Sequence, residues 1–422
     1  TLTIEAEGAA PATFTVPLQL KVNDWKIPDP KDFVIHHNIY QSPDSVAKTY
    51  NVPLWSDRHF ELMGKSLKAF GEVGNRLCIV NLLADSCTLG NSEGMVKWVK
   101  KGGVGGRVQG SGGEKKENQA NTDALKQPVP GSPEAGRGTP EPRTLNPDTF
   151  TYDFTVAERY MDLFAKNCGK PGVLRLDAWQ RPHFTNLYVS VLDPATGKVE
   201  PMAQPALGTP ENEAFWKPVL TELRQRLEKR GWFDVAAFGW VHYSKPADPP
   251  LVDVFKRIWP DGKWMHTAHT FPTEYQGTTK EIRMPVICSE GVWGVGPLYN
   301  PDEAGQRLYG QQYPRHWKGP KNILLGFPRQ GVAFIDAIYD HSSLVLYKAV
   351  TEAAIQGNIS GVGYIGGDFW PIPTGKEGRM ASVFWGGQGI DMRDAIYACF
   401  SPGPDGAVFN ERMEVFREGV QV

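Results

Sequence analysis

The sequence predicts an α/β chain: a (β/α)8 TIM-type barrel preceded by the C-terminal remnant of a β-sandwich. Three observations lead there. Short runs that are apolar on both faces recur eight times and alternate with amphipathic stretches, which is the pattern of a parallel sheet wrapped by helices. No Gly-rich dinucleotide fingerprint follows any of the runs, so an open doubly wound sheet lacks its usual sequence support. The first residues read as strand, loop and strand, Leu2 to Ile4 and then Phe14 to Val22, with no partners before them.

Residues 1–30 are therefore expected to be the end of the N-terminal sandwich and a linker, closed by the Pro-rich joint Ile27-Pro-Asp-Pro-Lys31, and residues 31–422 the barrel. The eight strand signals lie at 33–40, 76–83, 173–179, 234–243, 263–270, 284–290, 322–327 and 361–370. Helical spacing follows at 56–70, 152–168, 211–229, 250–258, 342–356 and 410–420. A further helical stretch is expected at 93–100, just before residues 101–148. That segment has no aromatic residue, few aliphatics and many Gly and Pro. It cannot bury enough apolar surface to offset the entropy of ordering, so a disordered insertion is expected there. A Gly-rich phosphate loop is the alternative, but its glycines follow no strand. Residues 187–201, with Asp193-Pro-Ala-Thr-Gly at the turn, read as a hairpin insertion that caps the loop after the third strand.

Lys and Arg (45) nearly balance Asp and Glu (47), for a net charge of −2, which argues against a nucleic-acid footprint. No run approaches the roughly 20 apolar residues of a membrane span. The five cysteines are scattered without Cys-x-x-Cys pairs, and Cys78 and Cys288 sit in apolar runs as small buried hydrophobes. His266 and His269, like His36 and His37, point to opposite strand faces and cannot chelate one ion. No metal and no cofactor is expected.

In such a barrel the chemistry sits at the C-terminal ends of the strands. On the third strand Leu174, Leu176 and Ala178 share one face, while Arg175, Asp177 and Trp179 share the other. The apolar face meets helices, so Arg175 and Asp177 point inward, either as a bracing ion pair or toward a ligand. The first strand likewise turns Ile35 and Ile39 outward and His36, Asn38 and Tyr40 inward, and the loop Gln41-Ser-Pro-Asp-Ser45 suits hydrogen bonding to hydroxyl-rich ligands. Brønsted groups end four other strands: His242 beside Tyr243, His269, Glu290 and Asp368. Glu290 has apolar and aromatic neighbours, which raise a carboxyl pKa as a general acid requires. Asp368 follows two glycines and shares a face with Trp370. Each of the two carboxylates could instead be a loop brace. Trp179, Trp293, Trp370 and Trp385 lie at strand ends or in loops, where rings stack on sugar faces. An oligosaccharide or polysaccharide is the expected partner.

Pro30 to Ala47, Gly90 to Trp98, Gly291-Val-Trp-Gly-Val-Gly-Pro297 and Gly366-Gly-Asp-Phe-Trp-Pro371 resemble bacterial relatives of the glycoside hydrolase family 123 catalytic domain. That resemblance implies a β-sandwich joined to a (β/α)8 barrel and a periplasmic or secreted location. It also implies β-N-acetylgalactosaminidase chemistry, in which the substrate's acetamido group attacks, an Asp orients it and an adjacent Glu is the general acid. The acidic pair belongs after the fourth strand. Here that place reads Gly239-Trp-Val-His-Tyr-Ser-Lys-Pro246, with no carboxylate. The resemblance therefore leaves two expectations: a glycosidase whose chemistry has moved to Glu290 as general acid, Asp368 as its partner, Asp177 and a positioning His242, or a barrel that binds sugars without cleaving them.

Overall fold

The computed structural model describes residues 19–22, 24, 26–84, 91–101, 149–178, 187–241, 246–268, 272–291, 323–326, 344–356, 361–370, 372–373, 380–381 and 400–421. Of the expected sandwich remnant only residues 19–22 and 24 fall among them, and these carry no strand. Apart from Lys101, the expected insertion lies outside the described residues.

Eight parallel strands form one path. They are β1 (His36–Tyr40), β2 (Leu77–Asn81), β3 (Val173–Asp177), β4 (Ala236–Val241), β5 (Trp264–Ala268), β6 (Arg283–Gly291), β7 (Ile323–Gly326) and β8 (Gly361–Gly366). Each overlaps its expected run. Their order is β1-β8-β7-β6-β5-β4-β3-β2, and the short segment Glu274–Gln276 adds antiparallel to β6 as a ninth strand. The two ends of the path meet at one parallel bridge, His37 to Asn75, beside which the Arg76 N–H donates to the His37 carbonyl at 2.7 Å. A continuous ladder does not run between β1 and β2.

The sheet nevertheless curls strongly. Arg175 on β3 donates from Nη1 to the Tyr40 hydroxyl on β1 at 2.7 Å, although the two strands are six steps apart along the path. In a flat sheet six steps would span about 29 Å. The curl separates two cores. A small inner one contains Tyr40, Leu77, Ile79, Val173, Ala237, Met265 and Cys288, drawn from six strands, with Phe369 just after β8. The large outer one lies between sheet and helices.

Among the described residues the α-helices are α1 (Pro43–Thr49), α2 (Asp57–Glu72), α3 (Thr155–Cys168), α4 (Pro210–Arg230), α5 (Pro249–Ile258), α6 (Val345–Gln356) and α7 (Glu411–Gln421). Their ends follow local chemistry. At α4 the Thr209 side chain accepts the Asn212 N–H, Pro210 takes the first turn with Glu211 and Glu213, and Lys229 and Arg230 take the last. Gly231 then stops the helix at φ 71°, a conformation that favours glycine. Phe215, Trp216, Val219, Leu220, Leu223 and Leu227 form its buried face.

One expected element is of another kind. Residues 93–100 are not helical: Lys97–Lys100 is a strand that pairs antiparallel with Phe150–Asp153 and parallel with Tyr188–Leu192. The expected hairpin is present as Tyr188–Leu192 against Val199–Ala203, completing a four-stranded sheet. Trp98 decides the outcome, since it is fully buried, lies parallel to Phe215 at 5.5 Å and meets Trp216 edge-on. Tertiary burial of one large ring outweighs a weak local preference for helix.

The strand Lys97–Lys100 and its partner Phe150–Asp153 also bring the two ends of the insertion together, since the Lys101 N–H donates to the Thr149 carbonyl at 2.9 Å. Loop-closure entropy grows only slowly with length. Replacing residues 102–148 by Asn-Gly, which suits a two-residue hairpin turn, should preserve the fold and raise unfolding free energy by at most about 3 kcal/mol. Urea unfolding of both proteins checks this, and a large loss of stability would show that the segment packs on the domain.

Candidate functional site

Strand alternation sends Arg175 and Asp177 inward from β3, as expected, and both are fully buried. Arg175 grips Asp177 with two parallel bonds, Nε to Oδ1 at 2.5 Å and Nη2 to Oδ2 at 2.9 Å. Burial alone would lower the Arg175 pKa; the Asp177 carboxylate, helped by Tyr40 and Glu290, outweighs it and pushes the value up, so the guanidinium stays charged. Room for the pair comes from Gly239 on β4, where a Cβ would collide with Asp177 and with Arg175 Nε.

From this pair a chain of donors runs to Glu290 on β6. The third Arg175 bond goes to the Tyr40 hydroxyl, and that hydroxyl donates to Glu290 Oε2. Asn38 Nδ2 donates to Oε1 at 2.7 Å and Thr267 Oγ1 to Oε2 at 3.1 Å. Burial raises the Glu290 pKa, opposed by the bond from Tyr40, the charge of Arg175 and the bonds from Asn38 and Thr267. Tyr40 is likewise raised well above the usual phenol range, by burial and then by the Glu290 charge. Gly363 on β8 makes the space, because a Cβ there would lie 2.6 Å from Glu290 Oε1. The structure thus brings together Asn38, Tyr40, Arg175, Asp177 and Glu290. Thr267 belongs with them and the sequence reading missed it, although alternation on β5 makes it the polar residue of the inward face. His266, on the opposite face, hydrogen-bonds Tyr275.

Two other candidates are placed differently. Asp368, just past β8, is not joined to Glu290: its Oδ1 accepts the Ser42 N–H at 2.6 Å and its Oδ2 accepts Gln41 Nε2 at 3.0 Å. It clamps the loop leaving β1. Burial pushes its pKa up to about 6 against those two bonds. Trp370 is a core residue rather than a rim platform. It is 2% exposed, its Nε1 donates to the Phe400 carbonyl at 2.7 Å, and it meets Tyr50 edge-on. Changes at Trp370 therefore act through folding. Trp179, His242, Tyr243, His269, Trp293 and Trp385 lie outside the described residues, as does the side chain of His36. Among the described residues no group of three His, Cys, Asp or Glu is placed to hold a metal ion.

Residues 40–106 and 143–264 match the family model described as "Glycoside hydrolase 123, catalytic domain". The chain resembles the family 123 catalytic domain. The matched blocks contain Tyr40, Arg175, Asp177 and Gly239 and stop short of Glu290. Among solved structures, a family 123 glycoside hydrolase from Clostridium perfringens, determined to study glycolipid glycan hydrolysis, superposes with a TM-score of 0.60 at 14% identity. The alignment covers 95% of this chain and 60% of that one, so the chain spans less than two thirds of that protein. No curated protein matches.

Two outcomes follow from the buried groups. Arg175→Met strands a buried carboxylate and should cost about 3–5 kcal/mol, whereas Arg175→Met with Asp177→Leu should recover most of it. Urea unfolding of both variants checks the pairing, and a double variant no better than the single one would count against it. At Asp368 the folded pKa of about 6 exceeds the ordinary 3.8, so the fold favours the protonated form. Its stabilisation is complete below about pH 4 and is lost as pH rises through 6, a change of about 3 kcal/mol. Across that window the unfolding free energy of Asp368→Asn should gain on wild type by that amount; parallel pH curves would refute the assignment.

Proposed function

We propose that the chain is a glycoside hydrolase acting on a glycan that carries N-acetylhexosamine units, with its curled sheet closed as a (β/α)8 barrel. The single observation that carries the reading is Glu290, a buried carboxyl with a raised pKa held by three donors within a fold similar to family 123. The His37–Asn75 bridge and the inner cluster support closure. A periplasmic or secreted location, implied by the resemblance, goes with this reading.

Glu290 serves as the general acid, giving its proton to the glycosidic oxygen as the C–O bond breaks; for this the oxygen has to come within about 3 Å. The carboxylate left behind is stabilised by Asn38, Thr267 and the Tyr40 hydroxyl, which Arg175 backs. While Glu290 is protonated, the Thr267 hydroxyl can turn to accept instead. Asp177, with both oxygens held by Arg175, acts through that pair, fixing the guanidinium that backs the Tyr40 hydroxyl.

The second reading, a non-catalytic carbohydrate-binding barrel, is favoured by Gly239 to Pro246, which lack the family's acidic pair. Full burial of Glu290 in the described structure points the same way. Glycosides, N-acetylated ones first, tested on wild type and Glu290→Gln separate the two. The hydrolase reading expects Glu290→Gln to lose about 10²–10⁴ in rate with its fold intact. Equal rates remove Glu290 from the mechanism, and binding without turnover of any glycan favours the second reading.

A further inference from the structure

Each neighbouring pair along the sheet path is joined by a parallel ladder, whereas β1 and β2, at the two ends of the path, meet among the described residues at a single bridge, His37 to Asn75. In that register the next rung would join Ile39 to Leu77. The Asn75 side chain occupies its place. Its Oδ1 accepts the Ile39 N–H at 2.9 Å and the Leu77 N–H at 3.2 Å, and its Nδ2 donates to the Leu77 carbonyl at 3.2 Å. One side-chain amide thus stands where backbone would otherwise meet backbone.

The other attachments of β1 are irregular too. Its pairing with β8 shifts register between His37 and Ile39, which puts Asn38 at the irregularity. Past Tyr40 the chain is held through side chains. Asp368, beyond β8, accepts the Ser42 N–H at 2.6 Å, and on the β2 side Asp44 accepts the Ser92 N–H at 3.0 Å and the Ser92 hydroxyl at 2.6 Å. Bonds of this kind break one at a time, whereas a regular ladder opens as a cooperative unit.

The same strand supplies the bonds around Glu290. Asn38 and Tyr40 lie on β1 and give two of the three donors described above, the third being Thr267 on β5. Glu290 itself is fully buried, so for its proton to reach a substrate oxygen something that covers it has to move. We propose that β1 is a movable stave: in a minor state of the native protein the seam with β2 parts at Asn75, β1 shifts, and Glu290 loses the Asn38 and Tyr40 bonds and becomes accessible. Asn75 is the latch of this gate and a positioning residue for Glu290. The motion is argued from the pairing at the seam; its bearing on catalysis rests on the glycoside hydrolase reading above.

The test needs no turnover: amide hydrogen exchange of the full chain, and labelling of its carboxyls with a carbodiimide and glycinamide, each resolved by residue with mass spectrometry across a series of low urea concentrations. In wild type the Ile39 and Leu77 amides are expected to exchange at least about tenfold faster than those of β3 and β5, and Glu290 labelling should share their weak dependence on urea. Asn75→Ala should speed Glu290 labelling at least about fivefold without adding to that dependence. Ser92→Ala, which removes one bond to Asp44, serves with the same criteria if Asn75→Ala does not fold. Glu290 labelling that rises with urea as steeply as exchange in β3 and β5, or that is unmoved in the folded variant, overturns the gate. The expected labelling in a chain that turns over no glycan leaves the gate standing and removes hydrolysis; turnover in a chain whose Glu290 is labelled only on global unfolding does the reverse.

Discussion

A guanidinium placed inside the curl of a sheet sets the conditions for everything around it. Arg175 lies beyond the reach of water, and each of its bonds replaces hydration that folding removes: two to Asp177 and one to Tyr40. Desolvation of such a pair is offset only by close geometry and by partners for the remaining donors. That requirement accounts for the missing side chain at Gly239 and for the bending that carries β1 round to face β3. It also fixes the Tyr40 hydroxyl as a donor to Glu290. The carboxyl with the raised pKa is thus held at the far end of a chain of bonds that begins with an ion pair.

Much of this was legible in the sequence because strand alternation is strict. Eight apolar runs gave eight strands, the inward positions of Asn38, Tyr40, Arg175 and Asp177 followed from a period of two, and Glu290 stood out as a carboxyl closing an apolar run. Alternation fails where strands end. β8 stops at Gly366, so the shared face inferred for Asp368 and Trp370 has no pleat to support it. Their positions are set instead by Gln41, Ser42 and Phe400, partners too distant in sequence for local pattern to reveal. Residues 93–100 were misread for a related reason, since Trp98 lies in a strand because of Tyr152, Phe215 and Trp216, all more than fifty residues away.

Asp368 belongs to a polar system separate from the one around Arg175. It follows β8 and holds the loop after β1, and neighbouring strands are thereby fastened at their exits. Because one of its bonds goes to Gln41 Nε2, the same carboxyl fixes the orientation of that amide. A residue expected to act at an anomeric carbon is better described as one that orients another side chain. The distinction is physical, since both of its oxygens are already engaged.

The paired ends of the insertion have a consequence for how this protein can change. Lys101 and Thr149 face each other across one hydrogen bond at the tip of the strand pair Lys97–Lys100 and Phe150–Asp153. Whatever joins them must begin and finish within the width of a hairpin, and a folded domain whose own termini lie close together meets that condition. The position is thus an acceptor site for passenger domains, where an affinity module or a fluorescent reporter can be carried without altering the register of the four-stranded sheet.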